Sequence, residues 1–161
     1  MIPFKPDPKF DLVLERDIDV PVELVWKVWT TPEHLKHWFV PKPWSLARCK
    51  IDLRPGGEFS SVMLSPEGKE FPNNGCYLEI VPNERLVFTD TLLAGYRPSP
   101  KPFFTAALLL EPRNGGTRYT AIAIHGDEAT RKQHEEMGFH DGWGTVVTQM
   151  TDYIKAGMKP A

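Results

Sequence analysis

The residue best placed to do chemistry in this chain is Asp90. It shares strand parity with Leu86, Phe88 and Leu92 in the strand-like segment 85–93. If Phe88 points into a core, Asp90 does too. A buried carboxylate without a cation holds its proton more tightly, which is how a general base is tuned or a polar ligand group held. The bland alternative is a hydrated carboxylate at a strand end, bonded to a loop. Arg16 interrupts the apolar face of the first strand and is the inward partner Asp90 would have if both were buried. His125 closes the last strand-like segment, where it bonds the following turn or reaches inward as an acid or base.

Other chemistries find less support. His34 and His37 stand at i, i+3 and could share a helix face, but no third ligand is apparent and they flank Trp38. His134 to His140 reads HEEMGFH, not the H-E-x-x-H of a zinc helix. Neither a metal nor a cofactor is expected. There is no G-x-S-x-G elbow. Cys49 and Cys76 lie far apart in strand-like contexts, which suits two buried thiols in a reducing cytoplasm better than a disulfide. Gly56-Gly57 and Gly115-Gly116 sit in hairpin turns, with no following helix to present N–H groups to a phosphate.

The totals narrow the function classes. The chain has 161 residues, the size of one domain, with 1–9 as a proline-rich arm and 10–157 as the folded part. The net charge is −2 and there is no basic run, which argues against a nucleic-acid binder. No apolar run is long enough to span a bilayer, and no signal peptide is recognised, so membrane insertion is not expected and a cytoplasmic location is.

The elements that must position these residues follow from periodicity. Residues 10–20 alternate as a first strand. Pro21 starts a helix with Val22, Val25, Trp26 and Trp29 on one face. Thr31 caps a second short helix that carries Leu35, Trp38 and Phe39. Strands are predicted over 47–53, 58–64, 76–81 (with 69–71 an optional extension), 85–93, 103–111 and 117–125, seven with the first, mostly joined by short turns and hence largely antiparallel. The loop 94–102 holds three prolines and cannot be a strand interior. Asp127 caps a polar helical segment, Glu128 to Glu136. From His134 to Gly157 runs the long C-terminal helix, with Phe139, Trp143, Val146, Val147, Met150 and Ile154 in one stripe and Gln149 mainly on the other side. Gly157 is its C-cap, and Pro160 bars continuation. Gly138, Gly142 and Gly144 are its oddity. Each interior Gly costs roughly 0.8–1 kcal/mol against Ala, so close approach of the sheet or space beside Trp143 must offset it.

This order of elements gives an α+β protein in which a curved sheet wraps a long amphipathic helix, with two short N-terminal helices. Such a sheet does not close over one helix, so a cavity between them is expected. Its wall is assigned to Trp26, Trp29, Trp38, Phe59, Met63, Phe88, Trp143, Val147 and Met150, with Asp90 and Tyr96 as polar contacts. In 119–125 the Ala121, Ala123 set and the Ile122, Ile124 set face opposite ways. Ala inward leaves room for a ligand and Ile inward fills it, and periodicity does not choose between them.

Five runs, VPVELVWKVWTTPEHLKHWF, RPGGEFSSVM, GCYLEIVPNERLVFTD, GGTRYTAIAIHG and HEEMGFHDGWGTVVTQM, stand in an order that resembles bacterial proteins of the activator of heat-shock protein 90 ATPase homologue type. These belong to the START-like (SRPBCC) superfamily. The resemblance covers about Phe10 to Ile154 and implies the helix-grip fold. Superfamily members bind lipids, hormones or polyketides, and some are cyclases or hydrolases. The implied function is therefore a binder of a small, mostly apolar molecule or lipid. The alternatives are an enzyme on such a ligand with Asp90 or His125 as acid or base, and a protein-interaction or stress-related module. A homodimer through a sheet edge or face is compatible with the sequence.

Overall fold

The computed structural model describes residues 4–159. Pro160 lies outside them. Seven strands form one sheet in the order β1-β9-β8-β5-β4-β3-β2: β1 (Asp11–Ile18), β2 (Ser45–Ile51), β3 (Glu58–Leu64), β4 (Glu70–Val81), β5 (Arg85–Thr89), β8 (Thr105–Arg113) and β9 (Gly116–Ile124). Every neighbouring pair is antiparallel. The segment predicted as one strand over 85–93 bends at Asp90 instead. Its end forms a small separate hairpin, β6 (Leu92–Leu93) with β7 (Arg97–Pro98), around a 3₁₀ turn, Ala94–Tyr96. The proline loop thus does contain a strand, but a two-residue one that belongs to no larger sheet, where Pro98 is tolerated.

Strand β4 is longer than its apolar pattern suggested, because residues 70–75 pair with β3 alone, beyond the reach of β5. Pro72 fits there, since its missing N–H faces an unpaired edge. Gly75 marks the point where β4 meets the end of β5. A Cβ at this position would run into the Thr89 carbonyl.

Four helices cover the inner face: α1 (Val22–Thr30), α2 (Pro32–Leu35), α3 (Glu128–Glu136) and α4 (Phe139–Lys155). Thr31 precedes α2 in extended conformation, but its side chain makes no capping bond. Asp127 does cap α3, accepting from Thr130 N–H at 2.7 Å. The predicted long helix is divided at Gly138, whose φ of 92° places it in the left-handed region that glycine enters without strain. At the far end Gly157 has φ 85°, Met158 N–H bonds Tyr153 O and Gly157 N–H bonds Ile154 O, a Schellman ending.

The core lies between the sheet's inner face and the helices. Leu12, Leu14, Tyr77, Leu86, Leu108, Tyr119 and Ala123 pack with Val25, Val28, Leu35, Phe139, Met150 and Ile154. Gln149 is no mere surface residue. Its Nε2 donates to Trp38 O (3.0 Å) and Val40 O (2.8 Å), and its Oε1 accepts from Lys42 N–H (3.0 Å). It clamps the segment after α2 onto α4. On the opposite face of the sheet Val87, Ala107 and Ile122 form a second cluster with Phe4 of the arm, whose ring is stacked by the Arg85 guanidinium at 4.2 Å. Ile122 therefore points outward and Ala121 inward. No helix among the described residues is long and apolar enough to cross a membrane.

Candidate functional site

The nearest backbone neighbours of α4 are β1, α1 and α3. Farther along the sheet the helix and strands part, and a pocket of about 420 Å³ remains. Trp29, Phe59, Met63, Phe88, Asp90, Trp143 and Val147 border it, as do Phe39, Phe103, Phe104, Phe139, Tyr119, Ala121, His134 and Gly142. The rings form a connected wall. Trp29 meets Phe39 edge-on at 5.5 Å, Phe59 meets Phe88 edge-on at 4.9 Å, and Trp29 and Phe88 are tilted against each other at 5.9 Å. Edge-to-face contacts of this kind fix ring orientations as well as burying area.

Two small residues keep the space open. Ala121 faces in from the sheet. Gly142 faces in from α4, and a Cβ built there would meet nothing within 4 Å. The helical glycine is thus explained by space beside Trp143 and not by close approach of the sheet. Gly144 differs, because a Cβ there would come within 3.2 Å of the Arg16 guanidinium.

Three residues assigned to the wall, and Tyr96 assigned as a polar contact, stand elsewhere. Trp26 lies on the flank of α1, half-buried against the core, while Trp29 takes the inward position. Trp38 is buried behind Trp29, 5.1 Å away ring to ring, and donates Nε1–H to Val28 O at 3.3 Å. Met150 is sealed in the core. Tyr96 is half-exposed on the β6–β7 hairpin, beside Gly56 on a separate surface groove. The periodic stripes marked burial correctly, but burial includes the solid core as well as its hollow part. Arg16 is exposed and donates to the adjacent Glu15 O, so it is not the partner of Asp90.

Asp90 is held by backbone. Phe103 N–H and Phe104 N–H both donate to Oδ1, at 2.7 and 3.0 Å. Burial pushes its carboxyl above the usual range, opposed by these two N–H groups. It reaches the pocket from a bend after β5, although Asp90 N–H still bonds Phe104 O as the next rung of the ladder. The clasp ties Asp90 to the Phe103–Phe104 pair, whose rings lie 4.9 and 5.0 Å from that of His134.

His134 was not singled out from the sequence as a pocket residue. It sits on α3, whose pattern is polar throughout, yet it is 93% buried, with Phe139 and Trp143 also against it. Its Nδ1 lies 2.9 Å from His125 Nε2, and His125 Nδ1 lies 2.7 Å from Phe10 O. His125 therefore bonds the start of β1 instead of the following turn, and it is not itself on the pocket wall. Burial, then the neighbouring His125, pulls the His134 imidazole down to about 4. The one sequence signal for His134 was its place four residues before a helix-breaking glycine, where α3 turns back toward the sheet.

Among the described residues no cluster of three or more His, Cys, Asp or Glu could hold a metal. His34 Nδ1 is engaged with Tyr153 OH at 2.8 Å, and His37 stacks on the same ring. Both cysteines are free thiols.

A seven-stranded antiparallel sheet gripping a C-terminal helix, with an aromatic pocket between them, defines a START-like α+β protein. The model of the family described as Activator of Hsp90 ATPase homolog 1-like protein matches residues 19–155, and the chain belongs to that family. A crystal structure of a Nitrosomonas europaea protein is similar at 52% identity and TM-score 0.92, over 95% of this chain and 99% of that one. A Rhodobacter sphaeroides protein (19% identity, TM-score 0.82, 94% and 97% covered) and an AHSA1-like protein from Aeromonas hydrophila (18%, 0.69, 91% and 93%) share the fold. No curated protein matches the chain.

Proposed function

We propose that the protein binds a small, mostly apolar molecule in the pocket between α4 and the sheet. The observation that carries this reading is Gly142. A glycine inside a helix costs roughly 0.8–1 kcal/mol against Ala. Here it faces open pocket space where a larger side chain would fit. Stability is forgone where the result is volume. A pocket of this size, lined mainly by rings with a few polar groups, suits a compact apolar ligand.

Binding is favoured over catalysis by the chemistry of the polar groups. An imidazole held near 4 is unprotonated at neutral pH but a weak base. Asp90 already spends Oδ1 on two N–H groups. Ser61 borders the pocket, and among the described residues no hydrogen bond links its hydroxyl to a base.

The test uses N-phenyl-1-naphthylamine, an uncharged dye that brightens in apolar surroundings. Its emission should rise with the wild-type protein and stay near the free-dye level with Gly142→Leu. The variant should melt at least as high as wild type, because Leu is a good helix former placed in open space. Equal dye binding by a folded Gly142→Leu protein would remove the pocket as the binding site. Native mass spectrometry of the freshly purified protein adds the identity of any retained molecule.

A further inference from the structure

The polar end of the pocket has a defined hydrogen-bond sense. A carbonyl oxygen only accepts, so the 2.7 Å contact to Phe10 O fixes a proton on His125 Nδ1. With His125 uncharged, its Nε2 is a bare acceptor. The 2.9 Å contact then requires the proton between the rings to sit on His134 Nδ1. With His134 uncharged as well, its Nε2 carries a lone pair and no proton. No protein group bonds that Nε2 among the described residues, and the atom is not sealed by packing. His134 borders the pocket inside a box made by Phe103, Phe104, Phe139 and Trp143. Ser61, Asn73, Asn74 and Thr89 also border the pocket, but the group clasped to the Phe103–Phe104 pair beside His134 is Asp90, which accepts. Its Oδ1 is taken by Phe103 and Phe104 N–H, and among the described residues no protein hydrogen bond uses its Oδ2.

We infer that the ligand carries a hydroxyl group, which donates to Nε2 of His134, and that the Phe10–His125–His134 chain selects an alcohol over a carboxylate or a plain hydrocarbon of the same shape. The inference rests on the proposed pocket binding and names its chemical class. A carboxylate would bring an acceptor to an acceptor and a negative charge toward Asp90. A hydrocarbon would leave the lone pair of Nε2 desolvated and unpaired, which is the costly case for a buried polar group. An ammonium would have to shed its water among four rings, facing one neutral imidazole and one carboxylate already occupied by two N–H groups.

The assay is competition against bound N-phenyl-1-naphthylamine at pH 8, far above the value of about 4 to which the His134 imidazole is held. The competitors share one skeleton: 2-naphthylmethanol, 2-methylnaphthalene, 2-naphthoate and 2-naphthylmethylamine. The alcohol should displace the dye at a concentration roughly five- to tenfold lower than the hydrocarbon, the worth of one good hydrogen bond, with the carboxylate weakest. In His134→Phe the advantage of alcohol over hydrocarbon, read as the ratio of their displacing concentrations against the dye's own affinity for that variant, should vanish. His134→Gln, whose amide can still offer an oxygen to the pocket, should keep part of it. Equal displacement by alcohol and hydrocarbon overturns the inference and leaves pocket binding standing. So does an alcohol preference that survives His134→Phe, and so does the amine being the tightest competitor. Failure of the dye to bind the wild-type protein at all removes the pocket reading, and this inference falls with it.

Discussion

Protonation of His134 should set the acid stability of this protein. The ring is buried against four aromatic side chains, and its pKa falls from the usual 6.5 to about 4. At about 1.36 kcal/mol per unit, the full shift caps the effect at roughly 3.4 kcal/mol. Between about pH 4 and 6.5 the unfolded chain holds a proton on this imidazole and the folded protein does not. The unfolded state then binds more protons, so stability rises with pH through that window and is lost as pH falls. Stopping at pH 5.0 expresses about 1.5 of those units, a ceiling near 2 kcal/mol. The pocket lets water screen one side of the ring, so about 1–1.5 kcal/mol is the working expectation. Two other groups near the site are shifted as well. Asp127, held below the usual range by the Thr130 N–H, adds stability above its ordinary 3.8. Asp90, pushed up by burial, has the opposite sign, and its stability is greatest at low pH. The assay is urea unfolding of wild type and His134→Phe at pH 8.0 and 5.0. Phe suits the aromatic surroundings but leaves His125 Nε2 without its partner, a loss common to both pH values. His134→Gln repeats the comparison with an amide N–H available to His125. Wild type should lose about 1–1.5 kcal/mol more than either variant on going to pH 5.0. Parallel losses in all three proteins would refute the reasoning, because the buried imidazole would then not be the group that resists protonation.

Three further outcomes follow from single contacts. Asp90→Asn should keep the Oδ1 clasp to Phe103 and Phe104 while removing a desolvated charge, so its stability at pH 8 should match or exceed wild type. A loss above about 2 kcal/mol in urea would mean that the carboxylate is charge-paired. Gly75→Ala should cost about 1–3 kcal/mol, since its methyl meets the Thr89 carbonyl and β4 must move off β5. A variant as stable as wild type by thermal melting would contradict that close approach. Gln149→Leu should cost about 2–3 kcal/mol, because Trp38 O, Val40 O and Lys42 N–H all lose their partner. Amide hydrogen exchange should show the change concentrated in residues 36–43, and unaltered protection there would count against the clamp.

Much of this fold was legible because its signals are local. The β3 boundaries, the Pro21 start of α1, the Asp127 cap and the Gly157 ending each rest on one or two residues with fixed conformational meaning. Failures arose where a local pattern met a tertiary event. The alternation through Arg85 to Leu93 is real, yet the chain bends at Asp90, because Phe103 and Phe104 return alongside and clasp its carboxylate. Arg16 interrupts an apolar face by parity, but the sheet edge there opens to solvent. The choice between Ala121 and Ile122 needed the second apolar layer, with Phe4 of the arm covering Val87, Ala107 and Ile122 on the far side. Periodicity sees two faces and cannot tell which neighbour each will find.

The pocket was the least legible part, for a reason that extends beyond this chain. Hydrophobic periodicity reports which side chains leave water, and Trp38, Met150, Trp29 and Val147 all do. Only the last two border empty space. What distinguishes them is the size of the residues opposite, Ala121 on the sheet and Gly142 on the helix, and those are the residues a hydrophobicity pattern weights least. His134 was overlooked for a related reason. It occupies a helix whose sequence is polar throughout, and it is drawn inward by the hydrogen bond it makes to a strand end, not by an apolar face of its own. In a fold that encloses a cavity, the small residues and the buried polar exceptions therefore carry more functional information than the large apolar stripe. Filling Gly142 and replacing His134 ask separate questions of the same space, one about its volume and the other about its chemistry.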